Sequence, residues 1–185
     1  MLSGKDFMAQ DIDHVLLDEE TIQNRVRELG EQLSKDYEGE EVILLCILKG
    51  AVIFFADLAR AMNIHVKMDF MAISSYGDAV KTSGIVKIAK DMDSSITGKH
   101  VIIAEDIMDS GLTLSHLCRV LNERQPASLR VCCLLDKPDR RECDITPDYC
   151  GFKIPNEFVV GYGLDYQQKY RNLPYIGVLK PETYK

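Results

Sequence analysis

Apolar positions along the chain follow two periods. From Glu19 to Leu33, the residues Ile22, Val26, Leu29 and Leu33 recur at helical spacing with charge between them, which predicts an amphipathic helix packed along one face. VILLCIL at 42–48, VIIA at 101–104 and SLRVCCLLDK at 128–137 are instead near-continuous apolar runs, the pattern of strands covered on both faces in a parallel sheet. Between them, AVIFFADLARAM at 51–62 reads as an apolar helix, and a second helix opens at Thr113 over Leu114, Leu117, Val120 and Leu121. IHVKMDFMAI at 64–73 alternates at first and reads as a less buried strand, while Phe158-Val159-Val160 begins a short one. Strands alternating with helices predict an α/β fold, a mostly parallel sheet flanked by helices, and the length suits a single domain over residues 1–185.

Chemistry collects where the apolar runs stop. The run at 101–104 ends at Glu105 and Asp106, which places two carboxylates at the carboxyl edge of a strand, the edge where open α/β sheets bind ligands. Asp109, Ser110, Gly111, Leu112 and Thr113 then make a tight loop before a helix. Successive backbone N–H groups in such a loop, with the positive end of the helix, would hold a phosphate without any lysine. Adjacent ionised carboxylates repel, so Glu105 and Asp106 call for hydroxyl donors or a cation, and a phosphorylated ribose offers both the anion and the hydroxyls. The plainer alternative is a solvated loop with an aspartate capping the helix.

Other run ends are less decisive. Lys49-Gly50 closes the 42–48 strand where a phosphate would sit, or is an ordinary strand-to-helix turn. SSYGDAVKTSG at 74–84 is a polar loop and could simply join the strand before it to GIVKIA. Asp136-Lys137-Pro138 ends a strand, and residues 139–157, rich in Arg, Asp, Pro and Gly, read as a connecting loop. GYGLDY at 161–166 fails the GxGxxG pattern at Tyr166, so it supports no dinucleotide site.

Composition narrows the classes. With 22 basic against 29 acidic residues, a net charge of −7 disfavours sequence-independent binding to nucleic acid. An anionic substrate would need local cations, for which Lys49, Lys137 and Arg171 are candidates, and a divalent metal. No run is long enough to span a bilayer and the first residues are too acidic and polar for a secretory signal, so a cytoplasmic protein without membrane contact is expected. Six cysteines without a CxxC pair, three of them (Cys46, Cys132, Cys133) inside apolar runs, read as buried or incidental thiols.

The run Glu105-Asp106-Ile107-Met108-Asp109-Ser110-Gly111-Leu112-Thr113-Leu114 closely resembles the phosphoribosyl-pyrophosphate signature of type I phosphoribosyltransferases, with Ser110 where many relatives carry threonine. From about Val42 to the C-terminus the chain is similar to their hypoxanthine-guanine branch. That resemblance implies a small hood over the base, built partly from the terminal segments. It implies that Leu48-Lys49-Gly50 forms a pyrophosphate loop with a cis peptide, that Ser75 and Tyr76 belong to a lid, and that Asp109 is the general base in catalysis. Lys137 would read the purine's oxo group, Phe158 would stack on the base, and the Val159 backbone would meet its edge. Asp165, with Glu105 and Asp106, would hold Mg²⁺, and Arg171 would meet pyrophosphate. The implied substrates are a purine base and phosphoribosyl pyrophosphate, and the implied assembly is a homo-oligomer, dimer or tetramer.

Two readings from other classes compete. A non-catalytic regulator on the same fold would show a basic face and eroded catalytic positions, and neither is visible. A receiver-type signalling domain also uses acids at strand ends and a Lys-Pro pair such as Lys137-Pro138, but its acidic pair should follow the first strand and its acceptor aspartate a later one. Here both share one mid-chain loop.

Overall fold

The computed structural model describes residues 8–75 and 86–184. Its main sheet has six strands in the order β4-β3-β2-β5-β6-β7, where β2 is Val42–Leu48, β3 Val66–Ser75, β4 Val86–Lys90, β5 His100–Met108, β6 Ser128–Asp136 and β7 Tyr149–Lys153. All neighbours run parallel except β4, which pairs antiparallel with β3. The helices are α1 (Glu19–Asp36), α2 (Val52–Ala61), α3 (Leu112–Asn122) and the short α4 (Pro181–Tyr184).

The period-2 alternation of a strand explains the layering. In β2, Val42, Leu44 and Cys46 face one core with α1 and α2, contributed by Ile22, Val26, Leu29, Phe54, Phe55 and Leu58. Ile43, Leu45 and Ile47 face the opposite core with Val101 and Ile103 of β5 and Leu114, Leu117 and Leu121 of α3. A strand apolar at every position is therefore what two helical layers require. α1 starts where expected, at a cap in which Asp18 accepts a hydrogen bond from the Thr21 amide at 2.8 Å.

A second, three-stranded antiparallel sheet forms the hood, with order β1-β9-β8 from Ile12–Leu17, Ile176–Leu179 and Val159–Val160. Both ends of the chain thus meet at its centre, since β9 is wholly buried between β1 and β8. The hydroxyl of Tyr170 donates to Asp11 at 2.6 Å and ties the two ends further. Neither β1 nor β9 stands out in the sequence.

Three sequence expectations need correction. The central strand does not stop at Glu105 and Asp106: β5 continues to Met108, because its register with β6 carries on through Ile107↔Leu135 and Met108↔Asp136. The carboxylates lie in the last half of the strand and not beyond it. The stretch 139–157 is not only a connection, since it contains β7, whose weak alternation hides a strand that pairs parallel to β6. The helix after the phosphate loop begins at Leu112, one residue before Thr113. The 74–84 stretch and Tyr76 lie mostly outside the described residues, with Ser74 and Ser75 as the last residues of β3. None of the described helices is long and apolar enough to cross a membrane.

Candidate active site

Strand order locates the site. From β2 the chain crosses over α2 to β3 on one side, whereas β5, next to β2 on the other side, leads outward through α3 to β6. The connections after β2 and β5 therefore diverge, opening a crevice beyond their carboxyl ends. Leu48-Lys49-Gly50 lies on one lip of this crevice and Glu105–Thr113 on the other.

The two lips touch. A Cβ added at Gly50 would stand 1.8 Å from Asp106 Oδ2, so only glycine lets the turn after β2 close onto the carboxylate. The Leu48–Lys49 peptide is cis. Lys49 is exposed. The Gly163 amide donates to the Arg171 carbonyl at 2.9 Å, and Arg171 Nη1 donates to the Gly163 carbonyl at 2.7 Å. A Cβ at Gly163 would in turn meet the Gly50 carbonyl at 2.0 Å, so Arg171 is seated against the same lip.

Glu105 and Asp106 are neighbours near the end of β5, and their carboxyls lie within hydrogen-bond reach of each other. Burial, reinforced by the Asp106 charge, holds the Glu105 carboxyl well above the usual carboxylate range. Burial likewise raises Asp106, against the Ile107 amide, which donates to its Oδ1 at 2.8 Å, and the charge of Arg171. The two carboxyls also hydrogen-bond each other, so a proton on Glu105 serves the Asp106 carboxylate.

The phosphate loop follows. Gly111, at φ +79°, is the N-cap of α3, and no side chain caps that helix. Among the described residues, the one side-chain bond to its first amide is long, Leu112 N–H to Ser110 Oγ at 3.4 Å. The positive end of α3 and the loop before it border a cavity of about 240 Å³ lined by Glu105, Met108, Asp109, Ser110, Gly111 and Thr113. Asp109 is half-exposed at its mouth, and Arg140 Nε donates to its Oδ1 at 3.0 Å.

The base side of the crevice is formed by β6 and the hood. Lys137 is buried, its amide donating to the Met108 carbonyl at 3.0 Å and its Nζ to the Glu157 carbonyl at 2.7 Å. Burial pushes its pKa down, partly offset by the charge of Asp109. Phe158 is exposed, stacked on Tyr184 with ring centroids 4.8 Å apart and edged by Tyr166 at 5.7 Å. Among the described residues β8 pairs only with β9, so Val159 sits on an edge strand whose other side is open to in-plane hydrogen bonds. Asp165 Oδ1 pairs with Arg171 Nη2 at 2.7 Å, and its Oδ2 accepts from the Gln168 amide at 2.7 Å.

Magnesium prefers one or two carboxylates plus water and substrate phosphate over an all-protein cage. Among the described residues no three His, Cys, Asp or Glu side chains converge as such a cage, so Asp165 and the Glu105–Asp106 pair do not form one group. Oxygen donors on both lips of a phosphate-sized crevice fit an ion shared with substrate.

Sequence reasoning missed the segment after Lys137. Arg141 Nη1 donates to the Asp109 carbonyl at 2.5 Å and its Nη2 pairs with buried Asp136, while the Glu142 amide donates to the Ser110 carbonyl at 2.9 Å. The only signal was the two consecutive arginines in a stretch that otherwise read as a loop.

Comparison with known proteins agrees with this geometry. The Phosphoribosyl transferase domain family matches residues 15–167. The chain is 50% identical over 178 residues to the hypoxanthine-guanine phosphoribosyltransferase of Bacillus subtilis, covering 96% of this chain and 99% of that protein. It is 52% identical to that of Mycobacterium tuberculosis over 95% of this chain and 90% of the relative. It is also 49% identical to the Bifunctional protein TilS/HprT of Listeria monocytogenes, of whose length it spans only 28%. A crystal structure of a hypoxanthine phosphoribosyltransferase from Staphylococcus aureus superposes with a TM-score of 0.96 at 50% identity, covering 99% of this chain and 100% of that one. A family match over most of the chain, relatives at half identity and a shared fold lead to one conclusion: this chain belongs to the phosphoribosyltransferase family, in its hypoxanthine-guanine branch.

Proposed function

We infer that this chain is a purine-salvage enzyme that joins hypoxanthine or guanine to the ribose of phosphoribosyl pyrophosphate, releasing pyrophosphate and leaving the nucleoside monophosphate. The observation that carries this reading is the closure of Gly50 onto Asp106 across the crevice, beside an uncapped helix end that faces a cavity. One lip suits pyrophosphate, the other a phosphorylated ribose.

As the bond to pyrophosphate breaks, positive charge grows on the ribose and negative charge on the leaving group, so interactions with those charges lower the barrier. Glu105 and Asp106 orient the ribose hydroxyls and favour its cationic character. Ile107 and Met108 lead out of β5 into the loop, and the amides of Asp109, Ser110, Gly111, Leu112 and Thr113 cradle the terminal phosphate. Leu48, Lys49 and Gly50 meet pyrophosphate together with Arg171, whose planar fork matches phosphate oxygens. Lys137 donates to the purine's oxo group, Phe158 stacks on the ring, and the Val159 backbone and Asp165 side meet its edge. Ser75 and Tyr76 belong to a lid that excludes water competing for the activated ribose. Magnesium would be held through Asp165 on one side, or through Glu105 and Asp106 on the other, with substrate oxygens completing its shell, and would neutralise charge on the pyrophosphate.

Asp109 accepts the proton shed by the purine's imidazole ring. Asp109→Asn is expected to lower turnover by about 10² to 10⁴, the usual worth of a general base, while nucleotide binding survives. Unchanged single-turnover rates would remove the assignment. The whole chain acts as one domain, and a cytoplasmic setting suits its free thiols. A homo-oligomer, dimer or tetramer, is the expected assembly, and sedimentation of the purified chain would measure it.

A further inference from the structure

The phosphate loop has no cation of its own between Asp109 and Thr113, yet a guanidinium stands at its mouth. We propose that Arg140 is the mobile cation of this loop: from the pairing with Asp109 seen here it transfers to the ribose's terminal phosphate on substrate binding, releasing the Asp109 carboxylate to act as base. The inference rests on the proposed roles of Asp109 and the loop, and deepens them.

Three observations carry it. First, the backbone of Arg140 is strapped to the loop independently of its side chain. Arg141 bonds both buried Asp136 and the Asp109 carbonyl, the Glu142 amide bonds the Ser110 carbonyl, and Cys143 and Ile145 press against Gly111, where a Cβ would meet them at 3.2 and 2.7 Å. Arg140 therefore stays at the loop whatever its guanidinium pairs with. Second, the Arg140–Asp109 pair has both side chains nearly half exposed, at 47% and 45%, and makes one 3.0 Å bond. Such a pair contributes little and exchanges readily. Third, a phosphate dianion carries more charge than the Asp109 carboxylate and can take two parallel bonds where Asp109 takes one, so it is the stronger partner. Arg141 differs, since one end is buried on Asp136 and it has no freedom to move.

The exchange couples two events without any change of fold. Until the phosphate arrives, Asp109 is engaged, and once it arrives the base is free beside the purine.

The test compares binding of a nucleoside monophosphate with that of the matching nucleoside, by calorimetry, in wild type, Arg140→Ala and Arg140→Lys. The expected result is about tenfold or greater weakening of the nucleotide in Arg140→Ala, partial rescue by Lys, and no change for the nucleoside, which lacks the phosphate. The KM for phosphoribosyl pyrophosphate should rise in parallel while that for the purine holds. Equal losses for nucleotide and nucleoside would mean that Arg140 only props the loop, and an unchanged nucleotide affinity would mean that it does not reach the phosphate; either result overturns the proposal. A wild-type protein that binds no nucleoside monophosphate would instead sink the reading of the site, and the inference with it.

Discussion

Asp106 is buried and Glu105 half-buried on the cavity wall beside it, and the cost of holding the two acids together shows in their titration. Unfolded, the Glu105 carboxyl has its ordinary pKa of 4.5; folded, burial and Asp106 raise it. Between those two values the native state keeps a proton that the unfolded chain has released, so stability falls as pH rises through that window. Glu105→Gln removes this penalty. The ligand-free variant should melt higher than wild type at neutral pH, by roughly 2–4 °C for each kcal/mol recovered, with a flatter dependence of Tm on pH, while ribose binding is lost. Calorimetric melts from about pH 5 to 8 would check it. Lys137 poses a different question, because its Nζ already bonds the Glu157 carbonyl at the rim of the hood. Lys137→Ala should erode the preference for oxopurines over adenine. Competition assays that leave the preference intact would remove Lys137 from base recognition.

At the scale of elements, the site depends on how two turns approach each other. Gly50 ends β2 against Asp106 on β5, and Asp106 is fixed by the Ile107 amide and by burial, so it has little room to retreat. Gly50→Ala is therefore expected to cost about 1–3 kcal/mol, the usual range for overpacking, and to lower kcat/KM for phosphoribosyl pyrophosphate much more than its effect on Tm suggests. Steady-state kinetics beside thermal melts would separate the two. α3 shows the complementary device, since an N-terminus without a side-chain cap is left for an anion.

For the molecule as a whole, the net charge of −7 means that an anionic substrate is held by local groups and not drawn in by a long-range field. The hood is made from both ends of the chain, with β9 between β1 and β8 and Tyr184 of α4 stacked on Phe158. Deleting residues 181–185 should leave β9 in place yet release Phe158 from its stacking partner. The expected outcome is a several-fold rise in KM for the purine with little change for phosphoribosyl pyrophosphate, since aromatic pairs contribute about 0.5–1.5 kcal/mol. An unchanged purine KM would show that Tyr184 does not steady the ring.

The amino-acid sequence by itself determined the parallel core and the phosphate loop. A strand buried on both faces must be apolar throughout, as 42–48 and 131–135 are, and a loop proposed to bind an anion through its own backbone carries its signature within a few consecutive residues, 105–114. Only the tertiary structure decided the rest. β1, β7 and β9 are short, and their partners lie far along the chain, so pairing and not local pattern makes them strands. The contact of Gly50 with Asp106, the strap that brings Arg140 to Asp109 and the stacking of Tyr184 on Phe158 each join residues dozens of positions or more apart in the sequence, or join segments that the pattern leaves unremarkable. No local periodicity encodes such meetings, because they arise from how strands are ordered and where their connections turn.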